Sequence, residues 1–529
     1  MSGVLAGTGG LLRLILRRDR LLLLGWLGGL GGTIAWSTWA VVTLYDTPQE
    51  VAGYAASVAD SPVIHLTAGR QAGLDTLGGV TANELSFVVQ LGVCVMVLFL
   101  VVRHTRAEEE SGRAELLRAT LVGRHAGTIA TLTYAGLGAA AVGAATSAAM
   151  LAAGLDARGS LTYGLGVALL GACFAAVTLA CAQVSAGARG ARAIAGALLA
   201  AAFLVRGVGA MQDSALVWLS PFAWAQEMNA FGAERWWPAL LLVAGTAAAL
   251  TGAAVFTARR DFGAGLIPPR PGRPRAVRLG SGFALAWRLQ RGARIGWLVG
   301  LGALSLVYGA VLPTVPEMFE TNPDLAGYLG AGGEAKDALV DAYVAYAVLF
   351  MAVLSSGFAV SSVLHLRAEE EAGRAGLLVA GGQARWRWFG SGLVATALAS
   401  LLHTVAMGVA VGAGHAIAAG DAGKTFAYLA DQIAYWPGVL VLLAVTGALV
   451  GLAPRLAPAA WLPLAVAAFV GMLGEGLSLP DTVSATSPFW HLAAVPVEPF
   501  SPGTAALEVA LAAVLIALGM FGFIRRDLD

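Results

Sequence analysis

Charge is what this sequence lacks most. Only 12% of its 529 residues are Asp, Glu, Lys or Arg, about half the share of an average soluble domain. Lysine is nearly absent: Lys336 and Lys424 are the only two, and every other basic residue is arginine. The three cysteines, Cys94, Cys173 and Cys181, lie in apolar runs, and their spacing suggests neither a disulfide framework nor a metal site. The dyad alternation of a membrane β-barrel is missing. A net charge of +1 gives no electrostatic reason to bind nucleic acid.

Chemistry-bearing motifs are equally scarce. The nearest thing to a phosphate loop is "AAGDAGKTF", ending at Lys424 and Thr425, but Ala418 stands where the pattern needs glycine. The stretch also follows an apolar run and not a strand. Serine and threonine occur without a nucleophile-elbow context. Consecutive helical glutamates point around the axis, so the triplets at 108–110 and 369–371 cannot converge on one ion. His403 is a lone histidine in an apolar run and reads as a hydrogen-bonded packing residue before a proton carrier. We expect no catalytic residue, metal or cofactor in this chain, and a membrane enzyme lacks its reactive cluster.

What the sequence has is long apolar runs, 58% of its residues being hydrophobic. Runs suited to crossing a hydrocarbon core of about 30 Å fall near 22–44, 85–103, 127–153, 161–183, 193–211 and 236–257. Six more follow near 295–312, 342–364, 389–416, 434–453, 459–474 and 504–523. The expected fold is an all-α polytopic membrane protein. The first run is longer than a signal-peptide core and reads as a retained span. All basic residues except Arg70, Arg158, Arg206, Arg235, Lys336 and Lys424 fall on one side of this alternation, together with both termini. By the positive-inside rule that side is cytoplasmic.

The chain also repeats itself. "RAEEESGRAELL" from Arg106 returns as "RAEEEAGRAGLL" from Arg367, identical at ten of twelve positions. "GWLGGLG" at Gly25 returns as "GWLVGLG" at Gly296, "VAGY" at Val51 as "LAGY" at Leu325, "SPFAW" at Ser220 as "SPFWH" at Ser487, and "RRD" at Arg259 again at Arg525. Two parallel six-span halves are expected, 1–257 and 285–529, joined by a linker at 258–284 rich in Arg, Pro and Gly. "LLRLILRRDR" and "LAWRLQRGAR" read as interfacial helices entering each half, and 45–84 and 313–341 as small outer helical caps. Gly28-x-x-x-Gly32 and Gly408-x-x-x-Gly412 read as close helix packing.

Helical spacing pairs Glu109 with Arg113 and Arg106 with Glu110 in the first dodecamer, and Glu370 with Arg374 and Arg367 with Glu371 in the second. Such pairs support an exposed helix by only ~0.2–0.5 kcal/mol each, so one copy alone would read as a solvated helix end. Two copies in the same residue order suggest a docking shape. Arg206 and Glu475, charged residues within apolar runs, are the costly placements in lipid. They read either as a snorkelling structural pair or as a lining of the outer exit.

"EEESGRAELLRAT" resembles the Glu-x-Glu-x-Gly-x-x-Glu-x-Leu pattern after the second span of type-2 ABC exporter permeases. The whole chain looks like the fused twelve-span permeases of actinobacterial multidrug and polyketide-antibiotic (tetronasin-type) exporters. The resemblance implies two cytoplasmic coupling helices. The first comprises Glu108, Glu109, Glu110, Gly112, Arg113, Glu115, Leu116 and Leu117, and the second Glu369, Glu370, Glu371, Gly373, Arg374, Leu377 and Leu378. The departure is Gly376 where the first copy has Glu115. It further implies two copies of a separate ATPase subunit as partners, which would hold the ATP and Mg2+, and a place in the bacterial plasma membrane among its lipids. In that family the second and fifth spans line the pathway, which here implies Phe87, Gln90, Phe99, Phe203, Tyr346, Phe350, Phe469 and Met472. That apolar, aromatic set suits a lipophilic small-molecule cargo. The alternative reading is a proton-coupled secondary transporter.

Overall fold

The computed structural model describes residues 3–59, 62–119, 122–268, 280–316, 336–474 and 479–527. Among these residues the chain is built from α-helices, with one isolated bridge between Ser185 and Ile267 in place of any sheet. Twelve helical segments among the described residues are long and apolar enough to span a membrane. This is an all-α multi-pass membrane protein.

Two compact units divide the chain, Met1–Gly272 and Arg273–Asp529. Six of the apolar segments lie in the first: Arg20–Leu44, Leu77–Glu110, Ala126–Ala152, Ala157–Val184, Ala188–Met211 and Trp237–Arg259. The second holds Arg291–Thr314, Ala338–Glu371, Arg385–Ala419, Thr425–Leu452, Pro454–Met472 and Pro502–Arg525. A short helix precedes the first span in each unit, Thr8–Arg18 and Gly282–Leu289. The cap region 45–84 is helical at Pro48–Ala59 and Pro62–Thr67. Most of the second cap region, and the "LAGY" echo, lie outside the described residues.

Local signals start these helices. Thr76 accepts a hydrogen bond from the Gly79 amide, Asp156 from Gly159 and Ser281 from Ala284, each satisfying an otherwise orphaned first-turn donor. Glycine then sets how closely helices cross. A Cβ on Gly143 would sit 2.3 Å from the Gly164 carbonyl oxygen, and one on Gly451 would sit 2.0 Å from that of Gly519. Backbone approach of this kind supplies dispersion contact where lipid offers no hydrophobic drive. Of the two sequence-predicted glycine pairs, Gly408 and Gly412 pack against Leu429 and Thr425 as expected. Gly28 and Gly32 face open space. The helix Arg20–Leu44 is turned so that this pair meets nothing within its unit, a rotation the spacing alone does not determine.

Candidate functional site: two glutamate–arginine knots

In the first unit, the dodecamer begins where the second span ends. The helix Leu91–His104 breaks at Thr105, resumes at Arg106–Glu110, and stops at Gly112 with φ +75°. A short helix, Arg113–Arg118, then leaves in a new direction. In the second unit Lys336–Glu371 is one continuous helix, stopped at Gly373 with φ +73° and followed by Arg374–Ala380. Left-handed φ is cheap only for glycine, so the two Gly-Arg steps fix the same corner. That corner corrects the expected pairing. Arg113 reaches Glu108 and not Glu109, at 2.8 Å, and Arg374 reaches Glu369 at 2.6 Å. The i,i+4 geometry assumed an unbroken helix. Arg367–Glu371 keeps it, at 3.0 Å.

The middle glutamate of each triplet is seized from elsewhere. Arg260 donates from Nη2 to Glu109 Oε1 at 2.7 Å and from Nη1 to Oε2 at 3.0 Å. Arg526 donates to both oxygens of Glu370 at 2.5 and 2.6 Å. Both are the second arginine of an "RRD" echo, just beyond the last span of their unit. A third residue completes each knot: Arg106 Nη1 lies 2.9 Å from Glu109, and Arg367 Nη1 lies 3.1 Å from Glu370. Arg106 is buried and also donates to the carbonyls of Ala182 and Ala264. Arg260 Nε reaches Gln183 Oε1 at 2.7 Å, and Arg526 Nη2 the Val450 carbonyl at 3.3 Å. Each knot therefore ties the second, fourth and last spans of its unit together at one end.

The outer glutamates differ between copies. Glu110 accepts from the Ala188 amide at 2.9 Å, capping the fifth span of its unit. Glu108 accepts from Arg18 of the entry helix at 2.8 Å, while Glu369 lies 3.3 Å from His365. Behind Arg18, buried Asp19 accepts from Arg103 at 2.6 Å and pairs with His104 at 2.8 Å. Burial works against the charged form of Asp19, but these partners outweigh it and hold its carboxyl below its ordinary pKa.

Beyond each corner the short helix turns leucine outward. Leu116 and Leu377 are 73% and 75% exposed, and Leu117 is 38% exposed. Glu115 is exposed, and Gly376 has no neighbour within 4 Å of a Cβ. Leu378 is half-buried beside Trp388, in a recess of about 40 Å³ closed by the entry helix Gly282–Leu289. The middle glutamate of each triplet is held inward, while Leu116 and Leu377 are exposed on the short helices beyond.

The expected pathway residues are only partly brought together. Phe87 and Phe203 meet edge to face at 5.7 Å, and the Arg206 guanidinium lies over the Phe203 ring at 4.4 Å. Gln90 is buried and accepts from Gln226 Nε2 at 3.3 Å. Phe99 is 44% exposed, packed on Trp26. In the second unit Phe350 meets Tyr308 at 6.0 Å on the helix that carries half-buried Tyr346. Phe469 is exposed and Met472 half-buried. Glu475 lies outside the described residues.

Sequence reasoning missed the contacts of the arginines. The "RRD" echo marked a repeat, yet nothing in it showed that Arg260 and Arg526 reach Glu109 and Glu370. It also passed over Glu508, a buried acid in the span Pro502–Arg525. The lone glutamate in "GTAALEVALAAVL" was its signal.

The family described as multidrug efflux system permease Rv1217c, C-terminal domain, matches residues 279–524. The multidrug efflux system permease protein Rv1217c of Mycobacterium tuberculosis (strain ATCC 25618 / H37Rv) is 37% identical over 528 residues, covering 98% of this chain and 95% of that protein.

Proposed function

The chain belongs to the multidrug efflux system permease family, and on that footing we propose that it is the membrane subunit of an ATP-driven exporter. Two copies of a separate ATPase dock on it, one on each short helix beyond a knot. Both termini and both knots face the cytoplasm. The observation that carries this reading is the pairing of a buried glutamate–arginine knot with an outward leucine at Leu116 and again at Leu377. An ATPase approaching its twin would push the short helices. The knots would pass that movement to the second, fourth and last spans of each unit, switching access from one side to the other. A lipophilic compound, a drug or polyketide antibiotic, is the cargo class that fits the aromatic side chains near Phe87 and Phe203.

Co-purification from the native host, identifying any bound ATPase, tests this reading. The isolated chain should neither bind nor hydrolyse ATP, and the complex should hydrolyse it faster when cargo is added. One observation favours a second reading, proton-coupled transport: Glu508 is a buried acid within a span. Cargo accumulation driven by a proton gradient in vesicles without ATP, abolished by Glu508→Gln, would establish that reading instead.

A further inference from the structure

At the other end of the first unit, away from the knot, the segment 212–236 packs on residues 68–73, just beyond the short helix Pro62–Thr67. Four residues other than glycine take positive φ in the described chain, Asp213, Asn229, Phe231 and Glu234, and all four lie in this segment. Strain of this kind persists only where surrounding contacts over-determine it. Phe231 shows how. Its ring fills the space that a Cβ on Gly78 or Gly159 would need, at 2.2 and 2.4 Å. The segment is a fitted cap.

Within it lies a recess of about 60 Å³, lined by Arg70, Arg206, Asp213, Ser214, Gln226 and Glu227 among others. Arg206 is 1% exposed. Its Nη2 donates to the Thr67 carbonyl at 2.8 Å, but Nε and Nη1 have no hydrogen-bond partner, and no described carboxylate pairs with it. Capping the helix Pro62–Thr67 needs one donor and no net charge, so that role leaves the rest of the guanidinium unexplained. A buried, half-satisfied cation costs several kcal/mol in lipid-facing protein. Ser214 Oγ, in the same lining, is also buried and unpartnered. Gln226 is already engaged, donating to the Ala68 carbonyl at 2.7 Å.

The second arginine carries a replaceable counter-ion. Arg70 Nε donates to the Ala210 carbonyl at 3.0 Å, and its Nη1 lies 3.1 Å from Asp213. The Asp213 side chain is 77% exposed and its backbone has φ 48°, so it holds Arg70 weakly and from strain. Glu227 is the other acid of the lining, and burial pushes its carboxyl up, toward the neutral form. Under the Arg206 guanidinium the Phe203 ring leads on to Phe87, an apolar floor beside a cationic edge.

We propose that this recess is an oxyanion subsite that takes the carboxylate of a lipophilic acid, with Arg206 and Arg70 on the head group and Phe203 and Phe87 under the apolar body. The incoming carboxylate displaces Asp213 from Arg70 and supplies the acceptor that Arg206 lacks. Calling the ligand cargo rests on the exporter reading above; the binding itself does not. A lipid phosphate offers the same chemistry to the same arginines.

The test uses the full-length chain in phosphatidylcholine nanodiscs without ATP, with radiolabelled dodecanoate as probe and empty discs as control. Dodecanoate should bind saturably, and unlabelled dodecanoate but not dodecanol should displace it. Arg206→Gln keeps a donor for Thr67 but loses the charge, and should weaken binding about tenfold, the worth of one charge-assisted hydrogen bond. Asp213→Asn should tighten binding severalfold, an effect that a purely structural role for the cluster does not produce. Should Arg206→Gln fail to assemble, Asp213→Asn still decides the matter. Loss of dodecanoate binding in phosphatidylglycerol discs alone would support the subsite and identify an anionic lipid headgroup as its competing occupant. Equal displacement by dodecanol, or an unchanged Kd in Asp213→Asn, overturns the subsite. ATP-driven export by a chain that shows no saturable dodecanoate binding would sink the subsite and leave the exporter standing; saturable dodecanoate binding without ATP-driven export would do the reverse.

Discussion

Arg260 grips both carboxylate oxygens of Glu109, and Arg526 grips both of Glu370, across 151 and 156 residues of chain. Two-pronged guanidinium–carboxylate contacts are the strong, orienting kind of ion pair. Glu370 is 1% exposed and Glu109 13% exposed at the side chain. Stranding a buried charge costs ~3–5 kcal/mol, and more where burial is deeper. Arg526→Ala should therefore lower the thermal midpoint of the purified chain more than Arg260→Ala, with the lysine variants intermediate because an ammonium cannot make the fork. Thermal unfolding in detergent, followed by tryptophan fluorescence, reads the order directly. Alanine variants indistinguishable from wild type would mean that the knots are not holding the units together.

The corner glycines yield a contrast that needs no partner. Gly112 and Gly373 have no atom within 4 Å of a Cβ, so crowding does not forbid alanine there. Their φ of +75° and +73° does, at ~1–2 kcal/mol per residue. Gly376 is equally open but sits inside the helix Arg374–Ala380, where alanine gains ~1 kcal/mol. Gly373→Ala should destabilise and Gly376→Ala should stabilise, measured by the same unfolding assay. Effects of the same sign would refute the left-handed corner.

The two short helices are unequal, with Glu115 facing solvent in one and Gly376 in the other. Gly376→Glu has room for its side chain and gives that position the first copy's residue. We expect it to bring the effect of Glu370→Ala on cargo-stimulated ATP hydrolysis closer to that of Glu109→Ala. Steady-state hydrolysis by the reconstituted complex measures this, and identical rates with and without Gly376→Glu would make the difference neutral.

Helix crossings give a fourth contrast. Gly451→Ala drives a Cβ to 2.0 Å from a backbone oxygen, whereas Gly28→Ala meets nothing. A Cβ against rigid backbone must separate the helices, an overpacking cost of ~1–3 kcal/mol. Gly451→Ala should lower the thermal midpoint and Gly28→Ala should not; size-exclusion profiles after heating distinguish the outcomes.

These contrasts mark where the sequence could be read and where it could not. Span number and extent were legible because an uninterrupted apolar run has one inexpensive structure in lipid, the helix. The dodecamer was legible because it is written twice. Its internal pairing was not, because the Gly112 corner changes which glutamate faces Arg113. Rotation about each axis was not legible either: Gly28 and Gly408 have the same spacing signature, and only Gly408 meets a neighbour. The same indeterminacy separates Phe87, which meets Phe203, from Phe99, which is turned out beside Trp26. Contacts between Glu109 and Arg260 join residues far apart in the chain, and no local period encodes them.

The central claim is that the chain carries two ATPase seats, one at each short helix, and one measurement reaches it most directly. Leu116→Cys and Leu377→Cys place a thiol on each exposed seat in a chain whose own cysteines, Cys94, Cys173 and Cys181, are buried. A bifunctional thiol–amine reagent applied to the co-expressed complex should join one ATPase through each single variant and two through the double variant, seen as successive mass steps on a denaturing gel. A double variant that captures only one ATPase, or single variants that capture none while the complex stays intact, would contradict it.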